Sequence, residues 1–518
     1  MEPRAAAPMS EDRGRLVRAT LVKTLGTAAE AGRAVLPMAL IALFSSGDYG
    51  VLVAALGFVD LLGRFVITGF SDSVQFVAAR EEGLHRARVG GESGDGSEDP
   101  LPGVVGAALI WSVGAAAAAA LLLQIAAGPL HRAFYEGTQP ESLAAALRLL
   151  AWSLPLQALA AVPLAALRSR LLMGPDVAVN NLLQPLVTVA AAVAVRGHAE
   201  APLAMAVAHL CGAAAAAALS WAAYARRFPP GAALAAALRF AAGSVRGKAD
   251  PVGRDLAGFA APQGTSALAA LAIERGDSLV LAAFVPPPVL ALYAVASDLA
   301  RLLRTVKANF STVLSPLVAR QAAERGPAAT QAAVDLVAGW IVTAALPALF
   351  VLLAFRHELF ALYGQPAAAP FFPLLLVAPL ASCAFGLAGN VLLMTGHARL
   401  NLSCTVAAMA ADLALALALV PRLGPAGAAL AGALSQSALM LLLRRESRRR
   451  LGVEVGPARF AASLTPGIVL ALAAVVLEFL LPAAEMRAAP AILLPRVFAG
   501  LAALGLYLAL VRRRRGAL

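Results

Sequence analysis

Residues 289–319 read VLALYAVASDLARLLRTVKANFSTVLSPLVA, an apolar stretch that is long enough to cross a bilayer yet contains charged residues. The charges are Asp298, Arg301, Arg304 and Lys307, and the three cations recur every third residue. A charged side chain that faces lipid at mid-bilayer costs about 2.5–3.5 kcal/mol. We therefore predict that these groups face protein or a wet cavity inside a helical membrane protein.

Three other apolar stretches also contain charges, and the four stretches form two pairs, at about 21–70 and 256–318. Beyond the four charged residues named above, they contain Lys23, Glu30, Arg33, Asp60, Arg64, Glu274, Arg275 and Asp277. Cations outnumber anions in the whole set, so the wall that these residues form is predicted to be net positive. An anionic, phosphate-bearing ligand is the natural counterpart of such a wall.

The composition is that of a polytopic, all-α membrane protein. The 518 residues are 60% hydrophobic and only 14% charged, whereas soluble globular proteins are about a quarter charged. Apolar windows of about 20 residues, the length that spans a bilayer as a helix, fit the chain about fourteen times. The predicted spans are 18–43, 48–70, 101–126, 144–167, 177–195, 202–225, 255–283, 289–319, 331–355, 370–395, 400–420, 424–443, 460–481 and 489–511.

The basic residues are distributed unevenly over this predicted topology. With both ends inside, the inner segments hold most of the 42 lysines and arginines, and the outer loops hold only Arg132, Arg196, Arg356, Arg422 and Arg487. Short cytoplasmic loops are enriched in basic residues, so this distribution predicts that both termini are cytoplasmic. The net charge of +12 therefore reflects topology and gives no indication of nucleic-acid binding.

Two halves of the chain share short sequence patterns. Leu61-Leu62-Gly63-Arg64 has a counterpart in Arg301-Leu302-Leu303-Arg304, and Leu171-Leu172-Met173 has one in Leu392-Leu393-Met394. Such internal similarity is typical of transporters built from repeats. We predict two six-helix lobes and two additional helices. The predicted domains are an N-terminal lobe at 1–225, a cytoplasmic linker at 226–254 that is able to form an interfacial helix, a C-terminal lobe at 255–443, and transmembrane helices 13–14 at 459–511.

The sequence contains no motif for nucleotide-driven pumping or for catalysis. The stretch most similar to a phosphate loop, residues 243–249, has one residue too few between its glycines and no Ser or Thr after Lys248. The histidines lack zinc-protease spacing, and no Gly-x-Ser-x-Gly nucleophile elbow is present. We therefore predict a protein that is not an enzyme and that uses no cofactor or metal.

The charged wall allows a structural and a functional interpretation. Asp60 and Arg64 are four residues apart, and Asp298 and Arg301 are three apart, so each pair can meet on one helix face. We assign Asp298 and Arg301 to a structural ion pair. The predicted substrate-binding residues of a central cavity are Lys23, Arg33, Arg64, Arg275, Arg304 and Lys307. The candidates for ion coupling are Glu30, Asp60, Glu274 and Asp277, because buried carboxylates shift their pKa values. The charges assigned to helix packing or interfaces are Arg148, Asp335, Asp412, Glu478 and Arg496.

Several diffuse motifs make the chain, from about Arg15 to Val511, resemble a known transporter family. They are Gly47-Asp48-Tyr49-Gly50, Leu292-Tyr293-Ala294-Val295-Ala296, the Leu-Leu-Met repeats, and the stretch from Pro421 to Ala429. The chain resembles the polysaccharide biosynthesis or oligosaccharide (O-antigen-type) flippase family. That family belongs to the multidrug/oligosaccharidyl-lipid/polysaccharide exporter superfamily.

The resemblance implies two six-helix lobes around a V-shaped cationic cavity that opens alternately to the two sides of the membrane. It implies a polyprenyl-pyrophosphate-linked oligosaccharide as substrate, moved to the outer leaflet of a bacterial inner membrane for surface polysaccharide such as the O-antigen of lipopolysaccharide. The expected partners are this substrate, membrane lipids and other polysaccharide-assembly proteins, with no nucleic acid.

Other functions remain open on the same fold. A drug or cation antiporter would use Asp60, Glu274, Asp277 or Asp298 as proton or sodium sites, and a lipid II flippase would use the cationic wall. The sign of the cavity charge distinguishes the first alternative, since an exporter of organic cations should have a net-acidic cavity. A membrane enzyme that transfers sugars is disfavoured because the predicted outer loops are short.

Overall fold

The computed structural model describes residues 35–74, 77–78, 101–170, 172–245, 251–324, 326–395, 397–456, 467, 469–474, 476 and 490–515. Every regular element in these ranges is a helix, and no strand occurs among them. The chain divides into two compact units, and the division falls within one long helix, after Ala272. The predicted domain boundaries at 225 and 254 remain a prediction.

The first unit contains residues up to Ala272 together with Pro286–Pro288. Its helices are α1 (Val35–Leu43), α2 (Ser46–Gly63), α3 (Leu101–Leu130), α4 (Ser142–Ala151), α5 (Ser153–Ser169), α6 (Gly174–Val177), α7 (Gln184–Val195), α8 (Ala201–Ala225), α9 (Pro230–Val245) and most of α10 (Pro251–Ala282). Three π-helical turns extend these helices, at Arg64–Thr68, His131–Tyr135 and Ala178–Leu183.

The second unit begins at Ile273 within α10 and continues from Val289. Its helices are α11 (Pro287–Glu324), α12 (Gly326–Ala354), α13 (Arg356–Leu362), α14 (Phe372–Phe385), α15 (Leu387–Met394), α16 (Ala398–Leu423), α17 (Pro425–Leu451) and α18 (Pro490–Arg515). A short 3-10 turn, Pro366–Ala368, precedes α14.

Eight helical stretches of the described residues are long and apolar enough to cross a membrane. They are Ser46–Val74, Leu101–Tyr135, Ser142–Ser169, Gly174–Val195, Ala201–Ala225, Thr330–Ala354, Arg399–Leu423 and Pro425–Leu451. Two shorter apolar helices are Phe372–Phe385 and Val497–Val511. The prediction of an all-α membrane protein with many spanning helices is confirmed. Most of the predicted spans 18–43 and 460–481 lies outside the described residues.

The two most charged helices are also the longest. Helix α10 has 32 residues and α11 has 38, which corresponds to lengths of about 48 and 57 Å. Both exceed the roughly 30 Å of a hydrocarbon core. Neither helix is among the eight apolar stretches.

Small side chains let the helices of the first unit pack closely. A core cluster of valine, alanine and leucine joins α3, α5 and α9, and the segment 230–245 of the predicted linker is part of it through Ala233 and Phe240. A Cβ at Gly106 on α3 would lie 2.5 Å from the backbone nitrogen of Ala237 on α9, so only glycine fits there. Close approach through small residues is the usual way in which membrane helices associate.

In the second unit, α18 packs on α12. Phe350, Ala354, Ala503 and Tyr507 form a buried cluster there. The Tyr507 hydroxyl donates a hydrogen bond of 2.8 Å to the carbonyl of Thr343, which gives the buried phenol a partner. The predicted additional C-terminal helix is thereby joined to the body of this unit.

Candidate functional site in the second unit

The charged stripe of α11 forms an ion cluster with the end of α10. The Arg301 guanidinium contacts the Asp298 carboxylate, one helical turn away. Arg275 Nη2 on α10 lies 3.7 Å from the same carboxylate oxygen. Two cations therefore share one anion. Burial, and to a lesser degree the negative charge of Asp298, raise the pKa of the Tyr363 phenol, which follows α13.

A buried carboxylate, Asp277, lies one turn from this cluster on α10. It is only 7% exposed, and it accepts hydrogen bonds from the Tyr293 hydroxyl and from the backbone N–H of Ser278, the latter at 2.6 Å. The Ser278 hydroxyl donates to the same carboxylate at 3.2 Å. Several donors around one carboxylate offset part of the cost of burying it.

A second buried carboxylate, Asp412 on α16, lies next to Asp277. Asp412 is 2% exposed and accepts a hydrogen bond of 2.6 Å from the Ser435 hydroxyl on α17. Gly276 on α10 and Gly432 on α17 lie at this contact, where an added Cβ would make only ordinary van der Waals contacts. A Cβ at Gly276 would lie 4.0 Å from Asp412 Oδ2, and a Cβ at Gly432 would lie 3.9 Å from Asp277 Oδ2.

A cavity of about 30 Å³ opens beside these carboxylates, and this volume is enough for one or two water molecules. Its charged lining residues are Asp277, Arg301 and Arg304, and its polar ones include Ser297 and Gln436. Arg304 Nη2 donates a hydrogen bond of 2.9 Å to Gln436 Oε1. The lining thus has two cations and one anion, and one of the cations, Arg301, also contacts Asp298.

Lys307, the last cation of the stripe, lies at the break between α14 and α15. A Cβ at Gly386 would come within 2.6 Å of Lys307 Nζ, so the ammonium occupies the space that a larger residue would need. One turn earlier, Cys383 Sγ lies 3.5 Å from the Leu303 carbonyl oxygen, which keeps α11 against α14. The carboxyl end of a helix attracts cations, and Lys307 lies beside the end of α14.

The structure brings together part of the predicted site. Arg275, Asp277, Asp298, Arg301 and Arg304 surround one small region of the second unit. The predicted residues Lys23, Glu30 and Arg33, and the side chain of Glu274, lie outside the described residues.

Asp60 and Arg64 belong to the first unit and form no ion pair with each other in the described part of the chain. Arg64 is exposed and begins a π-helical turn, Arg64–Thr68. A π-helical turn shifts the following side chains around the helix axis. For this reason, two residues that are four apart in sequence do not have to lie on the same face of the helix at this point.

Sequence reasoning did not assign Asp412, Ser435 or Gln436 to the site. Asp412 was assigned to helix packing, although a carboxylate within an apolar span is itself a signal of function. Ser435 and Gln436 are adjacent polar residues in the otherwise apolar first half of α17. That pair was the signal that could have indicated a helix facing the cavity.

Comparison with known proteins identifies the family. A family model described as polysaccharide biosynthesis protein matches residues 105–365, half of the chain. The chain belongs to this family. A search of curated protein sequences finds no match. The family assignment therefore rests on the family model, and the fold of this family member can be compared with solved structures.

Solved structures of transporters share the fold of this family member. The lipid II flippase MurJ in an inward closed conformation matches with a TM-score of 0.67 at 11% identity, over 96% of this chain and 99% of MurJ. An inward-facing multidrug resistance MATE transporter of the MOP superfamily matches with a TM-score of 0.61 at 14% identity, over 82% and 98%. A MOP superfamily transporter from Pyrococcus furiosus matches with a TM-score of 0.53 at 13% identity, over 85% and 95%. The chain has the fold of MOP superfamily transporters.

Proposed function

We propose that this protein is a flippase that moves a polyprenyl-pyrophosphate-linked oligosaccharide from the inner to the outer leaflet of a bacterial inner membrane. The observation that carries the proposal is the Arg304 guanidinium at the cavity wall, which donates to the neutral amide of Gln436. The family membership supports a role in polysaccharide biosynthesis, and the product that we propose is a surface polysaccharide such as the O-antigen of lipopolysaccharide. The distribution of basic residues supports a topology in which both termini are cytoplasmic.

The proposed mechanism separates the three parts of the substrate. The polyprenyl tail stays in lipid, and the sugars occupy water-filled space as the protein alternates between inward and outward access. The pyrophosphate pairs with Arg304 and with the other cations of the wall. Guanidinium groups suit this task because their planar fork binds two phosphate oxygens at once.

Deletion of the gene tests the proposal in cells. In a strain without a second flippase gene, surface polysaccharide should be lost, and the lipid-linked precursor should accumulate facing the cytoplasm. A plasmid copy of the gene should restore both. Unchanged surface polysaccharide in the deletion strain would contradict the proposal.

A second candidate, a transporter coupled to protons or sodium, is favoured by the neighbouring carboxylates of Asp277 and Asp412. With Ser435 they offer only oxygen ligands, which suit a proton or a hard cation. Among the described residues no three His, Cys, Asp or Glu side chains form a metal site. The alternatives on this fold are a proton- or sodium-coupled drug or cation antiporter and a lipid II flippase. Transport assays in liposomes that each contain one candidate substrate separate them.

A further inference from the structure

The last turns of α17 contain arginines, and three of them form ion pairs with two glutamates. Arg444 Nη2 lies 3.1 Å from Glu454 Oε1, and Arg448 Nη1 lies 3.5 Å from the same oxygen. Arg450 Nε lies 3.0 Å from Glu446 Oε2, within the helix. These three arginines therefore have partners inside the protein.

Two arginines of the same turns, Arg445 and Arg449, have no ion pair in the part of the chain that the structure describes. Both are exposed, and a spacing of four residues places them on one helix face. Leu441 and Leu442, one turn earlier, are 50% and 42% exposed. Exposed leucines on a spanning helix face lipid tails. The two arginines follow these leucines along α17, so they lie at the membrane surface, where the lipid-facing part of the helix ends.

A third arginine, Arg399, reaches the same level from α16. Helices α16 and α17 run antiparallel, and the hydrogen bond between Asp412 and Ser435 fixes their register. Arg399 precedes Asp412 by as many residues as separate Ser435 from the turn that contains Arg449. Arg399 and this turn therefore lie at the same level along the two helices. Arg399 is exposed and also lacks an ion pair among the described residues. We call Arg445 and Arg449 the basic patch.

We propose that the basic patch binds the headgroup phosphate of an anionic phospholipid at the membrane surface. A guanidinium binds phosphate through two parallel hydrogen bonds. Anionic lipids attract basic side chains that lie just outside a membrane span. The exposed leucines on the same face of α17 favour a lipid over a soluble phosphate, because only a lipid has acyl chains to cover them.

Phospholipid binding to the purified full-length protein tests this proposal. Native mass spectrometry should count phosphatidylglycerol and phosphatidylcholine bound to the wild-type protein and to Arg445→Gln/Arg449→Gln. We expect phosphatidylglycerol binding to be preferred in the wild type and to weaken about twenty-fivefold in the double variant, since each arginine contributes a factor of about five. Glycerol phosphate at the same concentration should not compete.

Two further variants separate lipid binding from a folding defect. Arg450→Gln removes a neighbouring arginine whose partner is Glu446, so it should leave phosphatidylglycerol binding unchanged. Arg445→Lys/Arg449→Lys keeps the charge and should retain most of the affinity. Equal binding of both lipids by the wild type, or equal losses in the Gln/Gln and Arg450→Gln variants, would overturn the proposal. So would unchanged phosphatidylglycerol affinity in the Gln/Gln variant.

Discussion

The Arg304 guanidinium donates to the side-chain amide of Gln436 at 2.9 Å, across the gap between α11 and α17. An amide is neutral, so this hydrogen bond orients the guanidinium without cancelling its positive charge. Arg304 is thereby held at the wall of the cavity.

We expect Arg304→Ala to lower transport of a lipid-linked oligosaccharide by about tenfold or more, because a hydrogen bond between charged groups is worth about 1.5–3 kcal/mol. Arg304→Lys should restore only part of the rate, since lysine keeps the charge but loses the planar fork. Transport in proteoliposomes at matched protein content measures both effects. Gln436→Leu is the matched control, because it removes the orienting amide and leaves the charge in place.

The Asp298 cluster should be structural. Arg301→Ala leaves Asp298 with Arg275 at 3.7 Å, a weaker contact, so the thermal midpoint and the protein yield should fall. Adding Asp298→Ala to Arg301→Ala should restore both. The partly buried carboxylate that lost its closest partner is then removed as well. A double variant that is as unstable as Arg301→Ala would contradict this assignment.

The buried carboxylates allow a test of ion coupling that preserves their hydrogen bonds. In Asp412→Asn the side-chain oxygen can still accept from Ser435, and in Asp277→Asn it can still accept from Ser278. Both variants should therefore fold, which detergent size-exclusion chromatography checks. If the pair binds the coupling ion, either variant should remove the dependence of transport on sodium or on pH. A coupled wild type whose dependence survives in both variants would exclude this pair as the ion site.

Gly386 should be needed to keep Lys307 in place. Gly386→Ala inserts a methyl group beside the ammonium and should lower stability by about 1–3 kcal/mol, the usual effect of overpacking. Lys307→Met should then have less effect in the Gly386→Ala background than in the wild type, as expected for residues in contact. Gly114→Ala in α3 is the control, because no atom lies within 4 Å of its added Cβ. That change should be neutral or stabilising.

Local sequence spacing was enough to predict the spanning helices and the charged stripe of α11. It also indicated which residues could meet on one helix, and Asp298 and Arg301 do so because the helix repeat alone decides their distance. The neighbours of the site on other helices could not be predicted in this way. Asp412 lies beside Asp277 because α10, α16 and α17 pack together at Gly276 and Gly432, and no spacing within one helix contains that information.

The functional assignment of Lys307 depends on tertiary structure in the same way. Its place in the stripe predicts a side chain that faces the cavity, whereas the structure has its ammonium beside Gly386 at the end of α14. The break between α14 and α15 that creates this space is a property of the partner helix. The predicted contact of Lys307 with substrate remains a prediction.

The rate at which a polyprenyl-pyrophosphate-linked oligosaccharide crosses the bilayer of proteoliposomes tests the central claim most directly. Sugar groups that reach the outside become accessible to an added lectin, which gives the rate. We predict rapid transfer by the wild-type protein and a rate at least about tenfold lower for Arg304→Ala/Lys307→Ala at equal protein content. Full transfer by that double variant would contradict the assigned role of the cationic wall. A wild-type protein that exports organic cations and leaves the lipid-linked oligosaccharide in place would contradict the assignment as a flippase.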